Sequence, residues 1–357
     1  MIFAIALFLA TIALGWANGA NDVSKGVAAL AGSGITSPRA AWVLGVAGTA
    51  AGGCAAIFAG DALSTLFGGG FLRSASSLGV EAAFAALVGA AGFVLTATWM
   101  RWPVSTTHAL IGGIVGAAVI QFGLKGVAFN AVLASFALPL LLSPLVAIGL
   151  CWLLIRVNRV AEAHIPRWTP GCCEREEWKR DPFVCGPQDD RPPPAVRRMW
   201  LSLHWISAGA VSFARGMNDT PKIAALMIPA FAYLPVMQAI DYGPRPAVLV
   251  IAVAMTAGGT MAGRRILPIL AEGVSGMNAS TGVFANMGTA FIVLAATPLG
   301  YPVSTTHVAT GSLIGVRVAG HAPVRGRDAL RVILLAWLVT LPVAGAAAAL
   351  AAHFLVA

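Results

Sequence analysis

The chain has 357 residues, of which 58% are hydrophobic and 10% charged, with mean hydropathy +0.82. A water-soluble globule needs more polar surface than this composition provides, so the pattern is that of a polytopic helical membrane protein embedded in a lipid bilayer. The net charge of +9 does not indicate nucleic-acid binding. Nine of 23 basic and seven of 14 acidic residues lie between Arg156 and Arg198, and the other basic residues are scattered near segment ends.

In chain order, the first half contains apolar segments near 1–33, 39–60, 78–99, 103–120 and 127–156. The amino terminus lacks a basic region ahead of its apolar run, so it is read as a first span rather than a cleaved leader. As one straight helix, 1–33 would be about 50 Å long against roughly 30 Å of hydrocarbon. A break or strong tilt is expected, with "GAND" (19–22) the natural place for a break that exposes main-chain carbonyls. The segments 78–99 and 103–120 are joined by "MRWP", and the second opens on Pro103 followed by Ser105, Thr106 and Thr107. Proline is tolerated in a first turn and Ser or Thr can cap it, so a helix starts there and 78–120 is read as a re-entrant hairpin.

The stretch 156–198 is charged and proline-rich, and is read as a connecting loop. Its Cys172, Cys173 and Cys185, with His164, do not have the spacing of a zinc site, and free thiols are expected. On either side the sequence repeats. "GANDVSKGVAAL" (19–30) and "PVSTTH" (103–108) precede the loop; "GMNDTPKIAAL" (216–226) and "PVSTTH" (302–307) follow it. Asn21 and Ser105 are 84 residues apart, Asn218 and Ser304 86 residues apart, which indicates an internal duplication.

Three organisational units follow: a first repeat (1–156), a linker (157–198) and a second repeat (199–357). With the hairpin re-entrant, each half crosses three times, so the repeats are inverted. Placing the central loop in the cytoplasm puts Lys25, Arg39, Arg264, Arg265, Arg317, Arg325, Arg327 and Arg331 on that side. Arg73, Lys125 and Arg245 fall outside, as do both termini. The basic residues thus favour the cytoplasmic side.

The polar motifs define candidate sites. Asn21, Asp22, Asn218 and Asp219 offer side-chain oxygens for a small hard cation such as Na⁺ at Asp22 and Asp219, or a carboxylate that carries a proton. Ser105, Thr106, Thr107, Ser304, Thr305 and Thr306 add hydroxyls to helix N-termini, where unpaired N–H groups attract an oxyanion such as phosphate. His108 and His307 either titrate or orient their turns. Lys25 and Lys222 either balance the carboxylates, attract an anion or snorkel to the interface. A passive channel would need continuous polar stripes, and the polar residues are instead concentrated at repeat-related points. An enzyme with Ser105 or Ser304 as nucleophile would duplicate its centre without a distinct third partner, and neither GxSxG nor HExxH occurs.

At these residues the sequence resembles the inorganic phosphate transporter (PiT) family. The resemblance implies an inverted-repeat secondary transporter, a homodimer, that takes up inorganic phosphate across the cell membrane by symport with Na⁺ or H⁺, without another cofactor. By position it implies that the six hydroxyl residues bind phosphate and that the two Asn-Asp pairs hold the coupling ion. Two departures stand out: Gly48 in "VAGTAAGG" and Asn286 in "GVFANMG" occupy places where many members carry glutamate. They leave sulfate or a related oxyanion as the alternative cargo.

Overall fold

The computed structural model describes residues 1–70, 72, 78–162, 194–231, 233, 244–273, 279–319 and 327–356. The cysteine-rich part of the central loop, His164, Arg73 and Arg325 lie outside the described residues. The helices are α1 (Ile2–Gly32), α2 (Pro38–Ala59), α3 (Asp61–Phe67), α4 (Val80–Trp99), α5 (Thr106–Gly126) and α6 (Leu138–Glu162) in the first half. The second half has α7 (Pro194–Ala224), α8 (Arg245–Ala262), α9 (Ala279–Ala296), α10 (Thr305–Val318) and α11 (Arg327–Val356). A short helix (Phe129–Val132) and a π-helical turn (Leu133–Ala137) lead into α6.

Among the described residues, seven helical spans are long and apolar enough to cross a bilayer. This is a multi-pass membrane protein. Its polarity is reversed relative to a soluble globule: Leu141, Leu145, Val253, Phe291 and Leu338 are exposed, whereas Asn18, Arg215, Asn218 and Lys222 are buried. Helix α7 is too polar to count among the seven, yet the residues that make it so, His204 and Arg215 to Lys222, are buried inside the protein.

Local chemistry sets the helix starts. Ser37 caps α2 by accepting from the Ala40 amide at 3.2 Å, with Pro38 in the first turn. Ser105 and Ser304 cap α5 and α10 in the same manner. The prolines of the hexamers therefore sit two residues ahead of the caps, not in the first turn as the sequence suggested.

The halves are interleaved, and contacts recur in repeat-related pairs. Helix α2 packs on α7 and α8 on α1; α11 packs on the α4–α5 hairpin and α6 on α9 and α10; α4 packs on α1 and α9 on α7. Glycines allow two of these crossings. A Cβ on Gly19 of α1 would strike the Met255 carbonyl of α8, and one on Gly258 would strike the Trp16 carbonyl. Gly52 of α2 and Gly216 of α7 relate in the same way to the Phe213 and Thr49 carbonyls. Close backbone approach of this kind replaces hydrophobic drive between helices in lipid.

One expectation is corrected here. Helix α1 runs unbroken through "GAND", and α7 runs unbroken through "GMND". The main-chain carbonyls of those turns stay within the helices, because the polar side chains find partners across the helix interfaces instead.

Candidate substrate site between the two hairpin tips

The connections of the α4–α5 and α9–α10 hairpins bring the two "PVSTTH" segments together. Ser105 Oγ lies 2.9 Å from Ser304 Oγ. Each serine also contacts the histidine three residues on: Ser105 Oγ to His108 Nδ1 at 2.9 Å, Ser304 Oγ to His307 Nδ1 at 2.8 Å. The imidazoles stack with centroids 4.4 Å apart, and Trp337 of α11 stacks on the far face of the cluster, 3.5 Å from His307. Three hydrogen bonds thus link two hydroxyls and two ring nitrogens. Two hydroxyl hydrogens serve at most two of them, so at least one histidine donates through Nδ1. Each Nδ1 therefore engages the capping serine of its own helix.

The Asn residues of the duplicated motif hold these tips. Asn21 Nδ2 donates to Thr98 Oγ1 at 3.1 Å and to the Trp102 carbonyl at 3.0 Å, while its Oδ1 accepts from the Val104 amide at 3.3 Å. Asn218 Nδ2 donates to the Val303 carbonyl at 3.2 Å and its Oδ1 accepts from Thr297 Oγ1 at 3.3 Å. Thr98 and Thr297 each stand five residues ahead of their hexamer's proline.

Around the tips lies a closed set of buried charges. Lys25 Nζ donates to Asp22 Oδ1 at 2.5 Å, the Val104 carbonyl at 2.5 Å and Thr306 Oγ1 at 2.7 Å. Lys222 Nζ donates to the Val303 carbonyl at 2.8 Å, Thr107 Oγ1 at 3.1 Å and Asp219 Oδ1 at 3.4 Å. Each lysine therefore joins its own half's carboxylate and hairpin to a threonine of the other half's hairpin. Neither snorkels. Its side chain is only 5% exposed for Lys25 and 1% for Lys222, because a carboxylate one helical turn back offsets the cost of burial.

Sequence reasoning missed two members of this set. Asn18 Nδ2 donates to Thr106 Oγ1 at 3.0 Å and bridges Asp22 Oδ2 at 3.3 Å to Asp219 Oδ2 at 3.4 Å. Arg215, fully buried, donates from Nη1 to Asn18 Oδ1 at 3.1 Å and from Nη2 to Thr49 Oγ1. The signal was present: the motif extends to Ala17–Asp22 (ANGAND) and Ala214–Asp219 (ARGMND), and Asn18 and Arg215 are equivalent positions.

At the two positions where the resemblance implied glutamate, the surroundings differ. A Cβ at Gly48 would lie 2.7 Å from Ser212 Cβ and 3.1 Å from the Gly209 carbonyl, so α2 and α7 leave no room for glutamate. Asn286 donates to Ser207 Oγ of α7 at 3.4 Å.

The phosphate transporter family model matches residues 18–348. The chain belongs to the phosphate transporter family. A "Probable low-affinity inorganic phosphate transporter" of Mycobacterium tuberculosis strain H37Rv is 31% identical over 336 residues, covering 94% of this chain and 73% of that protein. A protein of Pyrococcus abyssi that bears a phosphate-permease name is 27% identical over 395 residues, covering 94% and 93%. A solved structure described as "The sodium-dependent phosphate transporter" superposes with TM-score 0.84 over 99% of both chains at 21% identity, which establishes a shared fold. The family and these relatives are transporters and permeases, so the chain is not an enzyme.

Proposed function

We propose that this protein takes up inorganic phosphate across the cell membrane as a secondary active transporter, in symport with Na⁺ or H⁺. One observation carries the reading. Two helix N-termini from opposite halves, each capped by a serine and followed by two threonines, converge on one point beside Lys25, Lys222 and Arg215. Helix N-termini and hydroxyls are donors that an oxyanion requires.

The charges support the same cargo. Asp22 and Asp219 offset Lys25 and Lys222, and Arg215 adds a third buried cation to the cluster. A net buried charge of one sign is costly in low dielectric, and a bound anion relieves it. Ser105, Thr106, Thr107, Ser304, Thr305 and Thr306 form the phosphate site in this reading. Asn21 and Asn218 fix the tips, and Asp22 and Asp219 set the charge on which the coupling ion acts. A phosphate oxygen shared by both serines needs about 2.7 Å to each hydroxyl. Each serine has one hydroxyl hydrogen, so for both to donate to that oxygen the hydrogen bond between them must be given up.

Alternating access follows from inverted repeats closing alternately around this point, with the central loop cytoplasmic and both termini outside. The test is uptake of radiolabelled phosphate into proteoliposomes, driven separately by a Na⁺ and a pH gradient, with unlabelled sulfate as competitor. Uptake indifferent to sulfate is the expected outcome. Labelled sulfate taken up in place of phosphate would overturn the cargo assignment.

A further inference from the structure

Lys25 and Lys222 are more than neighbours of the carboxylates. Each ammonium is enclosed by three oxygens of the kinds that hold a monovalent cation: one carboxylate, one hairpin carbonyl and one hydroxyl from the opposite hairpin. An ammonium has three N–H donors, and all three are used at both places. We infer that Lys25 and Lys222 act as tethered counter-ions at the two carboxylates where a coupling cation was expected, so that the transporter neither binds nor requires Na⁺ at Asp22 and Asp219.

Three further features of the site agree. The oxygens left over are already engaged. Asp22 Oδ2 and Asp219 Oδ2 accept from Asn18, and the side-chain oxygens of Asn21 and Asn218 accept from the Val104 amide and the Thr297 hydroxyl. Unbroken α1 and α7 keep the main-chain carbonyls of the motif in their helical bonds, so no all-oxygen cage forms from an unwound turn. Finally, Arg215 already adds a third buried positive charge to a cluster with two carboxylates, and a sodium ion would add a fourth. The donor set therefore does not fit Na⁺, and the lysines set the choice of coupling ion.

The uptake arm of the test rests on the phosphate-transport reading, whereas the binding arm does not. Full-length protein in nanodiscs would be titrated with radioactive ²²Na⁺ at constant ionic strength in choline chloride. The wild type is expected to show no saturable ²²Na⁺ binding, and phosphate uptake is expected to differ less than twofold between Na⁺ and choline media. In Lys25→Gln and Lys222→Gln, each freed carboxylate is expected to acquire saturable, choline-insensitive ²²Na⁺ binding, and thermal stability is expected to rise with Na⁺ but not with choline. Saturable ²²Na⁺ binding to the wild type that disappears in Asp22→Asn or Asp219→Asn would overturn the inference. Absence of phosphate uptake in either medium would count against the transport reading, while the wild-type binding result still decides this one.

Discussion

Arg215 Nη1 donates to Asn18 Oδ1 at 3.1 Å, and these two residues stand at the same position of the duplicated motif. The repeats therefore differ in charge where they meet, and the difference lies beside both carboxylates. Asn18 passes the contact on to Asp22 and Asp219, while Arg215 reaches Thr49 on α2. A symmetric neutral pair would leave the cluster balanced; Arg215 gives it its positive excess.

Arg215→Gln is expected to remove that excess and raise the KM for phosphate at least tenfold. This corresponds to about 1.5 kcal/mol, the low end for a hydrogen-bonded charged group. Arg215→Lys keeps the charge and should recover part of the loss. The concentration dependence of phosphate uptake measures both, and an unchanged KM in Arg215→Gln would remove the arginine from cargo recognition.

Asp22→Asn and Asp219→Asn should each reduce transport strongly. Each leaves a buried lysine without its carboxylate, which costs on the order of 3–5 kcal/mol. Pairing Asp22→Asn with Lys25→Gln removes both charges and is expected to recover most of the lost thermal stability without recovering transport. Melting curves in detergent read the first effect and uptake the second. Full transport in either single variant would exclude that aspartate from the mechanism.

The contact between Ser105 and Ser304 predicts a cross-link. In a background free of the native cysteines, Ser105→Cys with Ser304→Cys should form an intramolecular disulfide under mild oxidation, seen as a mobility shift after proteolysis in the central loop. Saturating phosphate is expected to slow the reaction severalfold if cargo parts the tips. A rate independent of phosphate would mean that the serines do not separate on binding.

Glycine packing gives a stability test with an internal control. Gly19→Val puts a branched side chain against the Met255 carbonyl and forces α1 from α8. A loss of monodisperse protein is expected, of the order of 3 kcal/mol or more in stability. Gly92 on α4 has nothing within 4 Å of its Cβ position, so Gly92→Ala should be neutral or slightly stabilising. Equal behaviour of the two variants in size-exclusion and melting assays would contradict the close crossing.

Much of this molecule was legible in its sequence. Hydropathy located α1, α2 and α4 to within two residues because a bilayer demands long apolar helices with internally satisfied backbones, whereas 103–120 stopped six residues short of the end of α5 and 127–156 also took in the short helix and π-helical turn ahead of α6. The paired "ND" and "PVSTTH" motifs marked the residues that converge, since polar groups repeated at membrane depth must find partners. Serine capping was likewise local, fixed by the residue and the amides that follow it.

The tertiary structure decided what those residues do to one another. Spacing of three on a helix lets Lys25 reach Asp22, but it leaves the lysine equally free to stretch toward the interface. Only the arrival of Thr306 and the Val104 carbonyl from two hairpins supplied enough oxygens to hold the ammonium inside. The same holds for α1, whose expected break was unnecessary once Asn18, Asn21 and Asp22 found partners on other elements. Burial of a charge is a property of the whole neighbourhood, assembled here from residues as far as 281 positions apart in the chain.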